Sequence, residues 1–310
     1  MVTNARNLSV DTVKGFLIGL VIIGHILLGE LPNNFIRFWI YSFHMPMFMF
    51  VSGYLLDLRK LQQNTFHSLL AHYNQRMLGW WLLAWLIYST IIISGDFSIH
   101  NILRQVVFPY YHLWYVPTLF FFICGIHIFS SLVRVENKLF WPVLFSIGIG
   151  MMILNYIKPL PNLCKASFLI YFSLGLYARN LLSNNVKLHK ISLRCGGGGS
   201  KLYLIYTLCI GGLYVIVTRY LPFECWQLLA LPLVTCLLML WLYPALSNDN
   251  LPKIPLFMLW GRHSLQIYLW HILPIMLLKY LWADDWLLYY STSAAISTAF
   301  VFNDYPYIVR

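Results

Sequence analysis

Charged side chains are scarce in this chain: Asp, Glu, Lys and Arg make up 10% of its 310 residues, against about 25% in soluble domains. Hydrophobic residues reach 60% and the mean hydropathy is +0.69, a balance that excludes a soluble globular enzyme and points to a polytopic membrane protein. Acidic residues are fewest, 10 against 21 Lys and Arg, leaving a net charge of +11. In a soluble chain that excess would suggest nucleic acid. Here the basic residues sit in loops between apolar runs, where they set topology, and no nucleic-acid partner is expected. The six cysteines (124, 164, 195, 209, 225 and 236) have neither CxxC nor metal-type spacing, so they read as small apolar packing residues and no metal site is expected. After the first apolar run, Leu28-Gly29-Glu30-Leu31-Pro32 offers no A-x-A-like cleavage site, so that run is expected to stay as a first span.

Apolar runs of about 20 residues, the length that crosses a bilayer, fall at 10–29, 36–56, 77–94, 112–130, 140–157, 166–182, 202–220, 226–243, 256–281 and 285–302. The expected fold is all-α: a polytopic membrane helix bundle of about ten transmembrane helices, with residues 1–310 as a single integral-membrane domain. With the N-terminus inside, the outer segments hold only Arg37, Arg104, Lys158, Lys165, Arg219 and Lys279 among the basic residues. The positive-inside rule then places both termini in the cytoplasm. Residues 195–200, with four consecutive glycines and a serine, resemble a flexible or engineered linker and carry no functional argument.

The chain is organised around its first span, which holds Lys14 near its start and His25 deep inside. Ionisable groups are expensive in hydrocarbon and usually face the bundle interior or a wet cavity. Eleven residues at ~100° each bring His25 to within about 20° of the face of Lys14, about 16 Å further along the axis. The two cannot bond each other, but they could hold the ends of one elongated ligand. Asp11, lower still, reads either as an N-terminal cap or as a catalytic carboxylate. Gly15 and Gly19 form a GxxxG pair that lets a neighbouring helix approach closely.

Other polar residues recur at matching depths. His44 precedes Pro46 in the second span, where proline frees a carbonyl and kinks the helix. Arg76 ends a basic inner loop, as a topology anchor or a phosphate ligand. The cluster His112-Leu113-Trp114-Tyr115 opens the fourth span as an aromatic belt or a sugar-binding face. In the ninth, Ser264, Tyr268 and His271 make a polar stripe at i, i+4 and i+7, with Arg262 at its inner end. Lys14, Arg76 and Arg262 therefore gather on the cytoplasmic side, while His25, His44, His112 and His271 lie in the outer half.

These segments resemble the membrane acyltransferase family 3 proteins, in particular their fucose 4-O-acetylase-like branch. The matching elements are Asp11-x-x-Lys14 with Gly24-His25, Phe43-His44-Met45-Pro46 with Val51-Ser52-Gly53-Tyr54, His112 to Pro117, and Gly261-x-x-Ser264-Leu265-x-Ile267-Tyr268-x-x-His271. The resemblance implies an O-acyltransferase of the bacterial cytoplasmic (inner) membrane. An acyl group, acetyl in the first place, would pass from cytoplasmic acetyl-CoA to a hydroxyl of an envelope glycan or lipid-linked sugar. It makes His25 the expected catalytic residue; the residues' own placement adds Asp11 as a second candidate and Lys14, Arg76 and Arg262, gathered on the cytoplasmic side, as CoA contacts. Many members carry Arg where Lys14 stands, and lysine lacks the bidentate fork for phosphate.

The chemistry fits the layout: a neutral imidazole can take the proton of a sugar hydroxyl as it attacks a thioester. Ser52, Ser264 and Tyr268 are candidate donors to the developing oxyanion, and His44, His112, Trp114, Tyr115 and His271 line the expected acceptor side. Two other classes remain open from residues alone. Polar midplane residues also line transporters of sugars or small metabolites, and intramembrane histidines can ligate haem or a metal, although no motif such as H-E-x-x-H occurs.

Overall fold

The computed structural model of the chain describes residues 7–27, 34–93, 98–110, 112–157, 164–184, 246 and 251–282. Every regular element among them is helical. In chain order they are α1 (Leu8–Ile26), α2 (Phe35–Leu55), α3 (Leu58–Gln63), α4 (Phe66–Tyr73), a π-helical turn (Asn74–Leu78), α5 (Gly79–Ile93), α6 (Ile99–Val107), α7 (Tyr115–Leu132), α8 (Phe140–Ile157), a 3-10 turn (Ala166–Phe168), α9 (Leu169–Asn184), α10 (Pro255–Arg262), α11 (Ser264–Trp270) and α12 (Ile272–Trp282). Four stretches are long and apolar enough to cross a membrane: Leu8–Ile26, Phe66–Ile93, Tyr115–Leu132 and Ser264–Leu281. The expected ten-span bundle is thus seen in part. The spans expected at 202–220, 226–243 and 285–302, and the glycine-rich stretch 195–200, lie outside the described residues.

Local chemistry moves several expected boundaries. Asn7, not Asp11, caps α1: its Oδ1 accepts from Val10 N at 3.1 Å and its Nδ2 donates to the Leu246 carbonyl at 2.5 Å. The third span begins at Phe66 rather than 77, with Thr65 Oγ1 capping α4 through the Ser68 N–H at 3.2 Å. The ninth span, expected unbroken over 256–281, is broken at His263, which closes α10 and opens α11, and has a turn at His271 within the stretch Ser264–Leu281. α6 was not foreseen. It is amphipathic, with Ile99, Leu103, Val106 and Val107 exposed on one face, the pattern of a helix lying in a membrane interface.

The chain divides into two compact units, one of Met1–Phe48 with Leu182–Arg310 and the other of Met49–Leu181. In the first, α1 and α10 touch backbone to backbone. A Cβ at Gly15 would overlap the Phe257 carbonyl and one at Gly261 the Asp11 carbonyl, while one at Gly19 would meet the Trp260 ring at 3.0 Å. The expected close approach at Gly15 and Gly19 is therefore present, and its partner is α10. The second unit repeats the device: Gly53 of α2 lies against the Phe172 carbonyl, and Gly175 of α9 against that of Phe50.

On α1, Phe16 and Ile23 are 44% and 45% exposed and share one face by spacing. Lys14 stands two residues from Phe16, about 200° around the helix. The Lys14–His25 stripe thus lies opposite the exposed one, as a lipid-facing helix with a functional inner side requires.

Candidate active site around His25

In the first unit the segment from α10 to α12 touches α1 at both ends. Gly261 meets the backbone of Asp11, which brings the exposed Arg262 to the Lys14 end of α1. The rings of His271 and His25 lie 5.1 Å apart at the other end. Asp11 is buried, Lys14 half-buried and His25 half-buried. Between the two half-open residues the stripe is closed, with Ile18 at 0% and Val21 at 2% exposure.

His25 is the hub of an imidazole cluster. Its Nδ1 lies 3.2 Å from the Tyr41 hydroxyl, and the two rings meet edge to face at 5.9 Å. Tyr41 in turn packs edge-on against His44, with centroids 5.2 Å apart. His44 is buried, and its Nδ1 is 2.7 Å from the Ile40 carbonyl. His271 is buried as well, with Nδ1 at 2.8 Å from the Ile267 carbonyl and 3.0 Å from that of Tyr268. A carbonyl oxygen can only accept, so in both rings Nδ1 carries the proton. In the neutral form Nε2 then holds the lone pair. The α-helical backbone itself fixes both tautomers. Tyr268 lies 6.5 Å from the His271 ring, and Ser264 is buried one turn before Tyr268.

The remaining candidates belong to the second unit. Ser52 and Tyr115 share a hydroxyl–hydroxyl hydrogen bond of 2.7 Å, joining α2 to the start of α7. His112 is buried with Tyr88 at 5.0 Å and Tyr110 at 5.8 Å, both edge-on. The two tyrosines stack on each other at 5.2 Å. Trp114 is covered: Phe168 stacks on it at 5.0 Å and Lys165 Nζ lies 4.8 Å over its ring, a cation–π contact. Burial holds the Lys165 ammonium below its ordinary value. A sugar stacking on Trp114 would have to displace one of these partners. Arg76 is exposed in the π-helical turn and donates from Nη1 to His72 Nε2 at 3.2 Å.

The sequence reading missed Tyr41, one tyrosine among 21. Its one local signal is its place three residues before His44, on the same helix face. It also missed Phe168 and Tyr88. Among the described residues no three His, Cys, Asp or Glu side chains come together as a metal set.

The family model described as an acyltransferase domain, acyltransferase 3, matches residues 7–302, and the chain belongs to that family. It is 36% identical over 125 residues to Nodulation protein NolL of Mesorhizobium japonicum, a match covering 36% of this chain and 34% of that protein. It is 48% identical over 59 residues to Nodulation protein NolL of Sinorhizobium fredii, covering 17% of this chain and 16% of that protein. The longer of these matches spans about a third of the curated relative. No solved structure matches the chain.

Proposed function

We propose that this protein transfers an acyl group, acetyl in the first place, from cytoplasmic acyl-CoA to a hydroxyl of an envelope glycan or lipid-linked sugar, with His25 as general base. The observation that carries the reading is the half-open His25 ring, gathered with Tyr41, His44 and His271 at one end of α1 in a chain of the acyltransferase 3 family.

In this reading Nε2 of His25 takes the acceptor's hydroxyl proton as the oxygen attacks the thioester carbonyl. The oxyanion of the tetrahedral intermediate then collapses. The C–S bond breaks, and the proton returns from the imidazolium to the leaving thiolate. The products are an O-acyl ester and CoA thiol. Lys14 and Arg262, at the other end of α1, are suited to hold the CoA phosphates through charge-assisted hydrogen bonds, about 16 Å from His25 by the helical rise. A pantetheine arm running between them has to open the covered stretch at Ile18 and Val21. Both termini would lie in the cytoplasm of a bacterium, with the acceptor entering from the outer side of the inner membrane.

The test is incubation of the purified protein in liposomes with labelled acetyl-CoA and an envelope glycan fraction. Label in ester linkage, absent with His25→Ala, is the expected result. No label transfer by the wild-type protein to any glycan or lipid-linked sugar overturns the reading.

A further inference from the structure

We propose that Tyr41 is the positioning residue of His25: its phenol oxygen accepts the Nδ1–H of His25 and so keeps the Nε2 lone pair directed at the reacting hydroxyl. The inference deepens the acyl-transfer reading and rests on it.

Three observations converge on Tyr41. Its hydroxyl is 3.2 Å from His25 Nδ1, and a proton held on that nitrogen puts the lone pair, and with it the basicity, on Nε2. The second is the residue before His25. A methyl group at Gly24 would come within 2.8 Å of Tyr41 Cε2 and 3.5 Å of Cδ2, so the bare backbone of Gly24 is what lets the phenol ring lie against α1 beside the imidazole. The third is the bracing of the ring from its own helix. The Arg37 guanidinium lies 5.4 Å from its centroid, one turn before it, and the His44 ring meets it edge to face with centroids 5.2 Å apart.

The contrast with the neighbouring histidines gives the arrangement its meaning. His44 and His271 each take their orientation from a carbonyl of their own helix, whereas His25 meets a side chain from another helix. A carbonyl can only accept, which makes those two tautomers permanent. A hydroxyl can accept or donate, so His25 can be held as the Nδ1–H tautomer in the resting state. When Nε2 gains a proton, the same hydrogen bond becomes charge-assisted and stronger. Fixing an imidazole through the nitrogen that does not react is how a catalytic histidine keeps both orientation and tautomer.

The experiment reads the tautomer directly. Protein labelled with 15N-histidine is placed in lipid nanodiscs, and the His25 resonances are assigned as those lost in His25→Ala. The wild-type protein is expected to show Nδ1 protonated and Nε2 unprotonated, and Tyr41→Phe is expected to populate the other tautomer. In activity, Tyr41→Phe should lower kcat about 10–100-fold with the KM values for donor and acceptor within about twofold. Gly24→Ala retains the hydroxyl but wedges the ring away and should reproduce both effects. Thermal melting separates this from unfolding: a kcat loss at wild-type melting supports the proposal, and one that merely tracks a lowered melting temperature overturns it. A wild-type Nε2–H tautomer, or a His25 spectrum indifferent to Tyr41→Phe, overturns it as well. If the wild-type protein transfers no acyl group, the proposed function fails, while the spectrum still decides what Tyr41 does to His25.

Discussion

His271 and His25 lie ring to ring, 5.1 Å apart, yet they are held in different ways: His271 by carbonyls of its own helix, His25 by contact with the Tyr41 hydroxyl. His271 is locked, whereas a hydroxyl partner, which can accept or donate, lets His25 respond to a change of protonation. His25→Ala should therefore reduce acyl transfer to background, a loss of about 10²–10⁴-fold, with membrane insertion intact. The double variant with His271→Ala should be no slower than His25→Ala alone, because groups that act as one unit do not contribute additively. Turnover assays on the two single variants and the double check this.

The cationic end of α1 makes a separate prediction. Lys14→Gln and Arg262→Gln should weaken CoA binding by about 10–150-fold each, the range expected for a charge-assisted hydrogen bond of about 1.5–3 kcal/mol. Titration with CoA measures this. Wild-type affinity in both variants would leave the two residues as topology anchors. A CoA-bound structure should show the nucleotide by Lys14 and the thiol by His25, with Ile18 and Val21 uncovered. A thiol near Lys14 would sink the threading model.

Glycine substitutions should sort by what lies opposite them. Gly15→Ala and Gly261→Ala drive a methyl into a backbone carbonyl, where nothing flexible can give way, and each should cost about 1–3 kcal/mol or more. Gly125→Ala and Gly150→Ala meet nothing within 4 Å and should be neutral or stabilising by up to about 1 kcal/mol. Thermal unfolding of the four variants in one detergent separates the two classes.

The Asp57 carboxylate supplies a pH dependence. Burial opposes its charge, but the N–H of Lys60, the Arg179 guanidinium and the N–H of Arg59 outweigh that and hold it below the usual carboxylate range. A carboxylate whose folded value is depressed contributes stability that is present above its unfolded value of about 3.9 and is lost as pH falls through the folded one. Asp57→Asn keeps a good cap for α3 but loses the charge. The melting difference between Asp57→Asn and wild type should thus be full at pH 6 and shrink below about pH 4.

Among the described residues, the sequence announced most of the long elements and the polar residues on them, but not their partners. The first span was legible to within a few residues because its apolar run is bounded by Asn7 and by the residues before Pro32. The GxxxG pair foretold a close helix, and only tertiary packing could show that the helix is α10. Asp11 looked like a cap because an acidic residue in a first turn fits that role. Asn7 does the work because its side chain reaches both Val10 N and the Leu246 carbonyl. His25, His44 and His271 were singled out because imidazoles are costly in a membrane. Tyr41 was not, because a tyrosine costs little there and its value depends on how α2 is rotated against α1. Trp114 read as part of an aromatic belt or a sugar-binding face, and its cover was hidden for the same reason, since Phe168 lies more than fifty residues away in the chain.

The anchoring of His44 and His271 sets a limit on where protons can travel. An imidazole passes a proton along a chain by accepting it at one nitrogen and releasing it from the other. In these two rings the second nitrogen points at a peptide carbonyl, which cannot take a proton onward. Both are therefore termini rather than relay stations, and no proton wire runs through them from one side of the membrane to the other. In the proposed acyl transfer, the proton released by an acceptor hydroxyl would then stay within the cluster until the leaving thiolate collects it. Acyl transfer by the proposed mechanism is therefore expected to be insensitive to the transmembrane proton gradient, and an ionophore that collapses the gradient is expected to leave the rate in sealed vesicles unchanged.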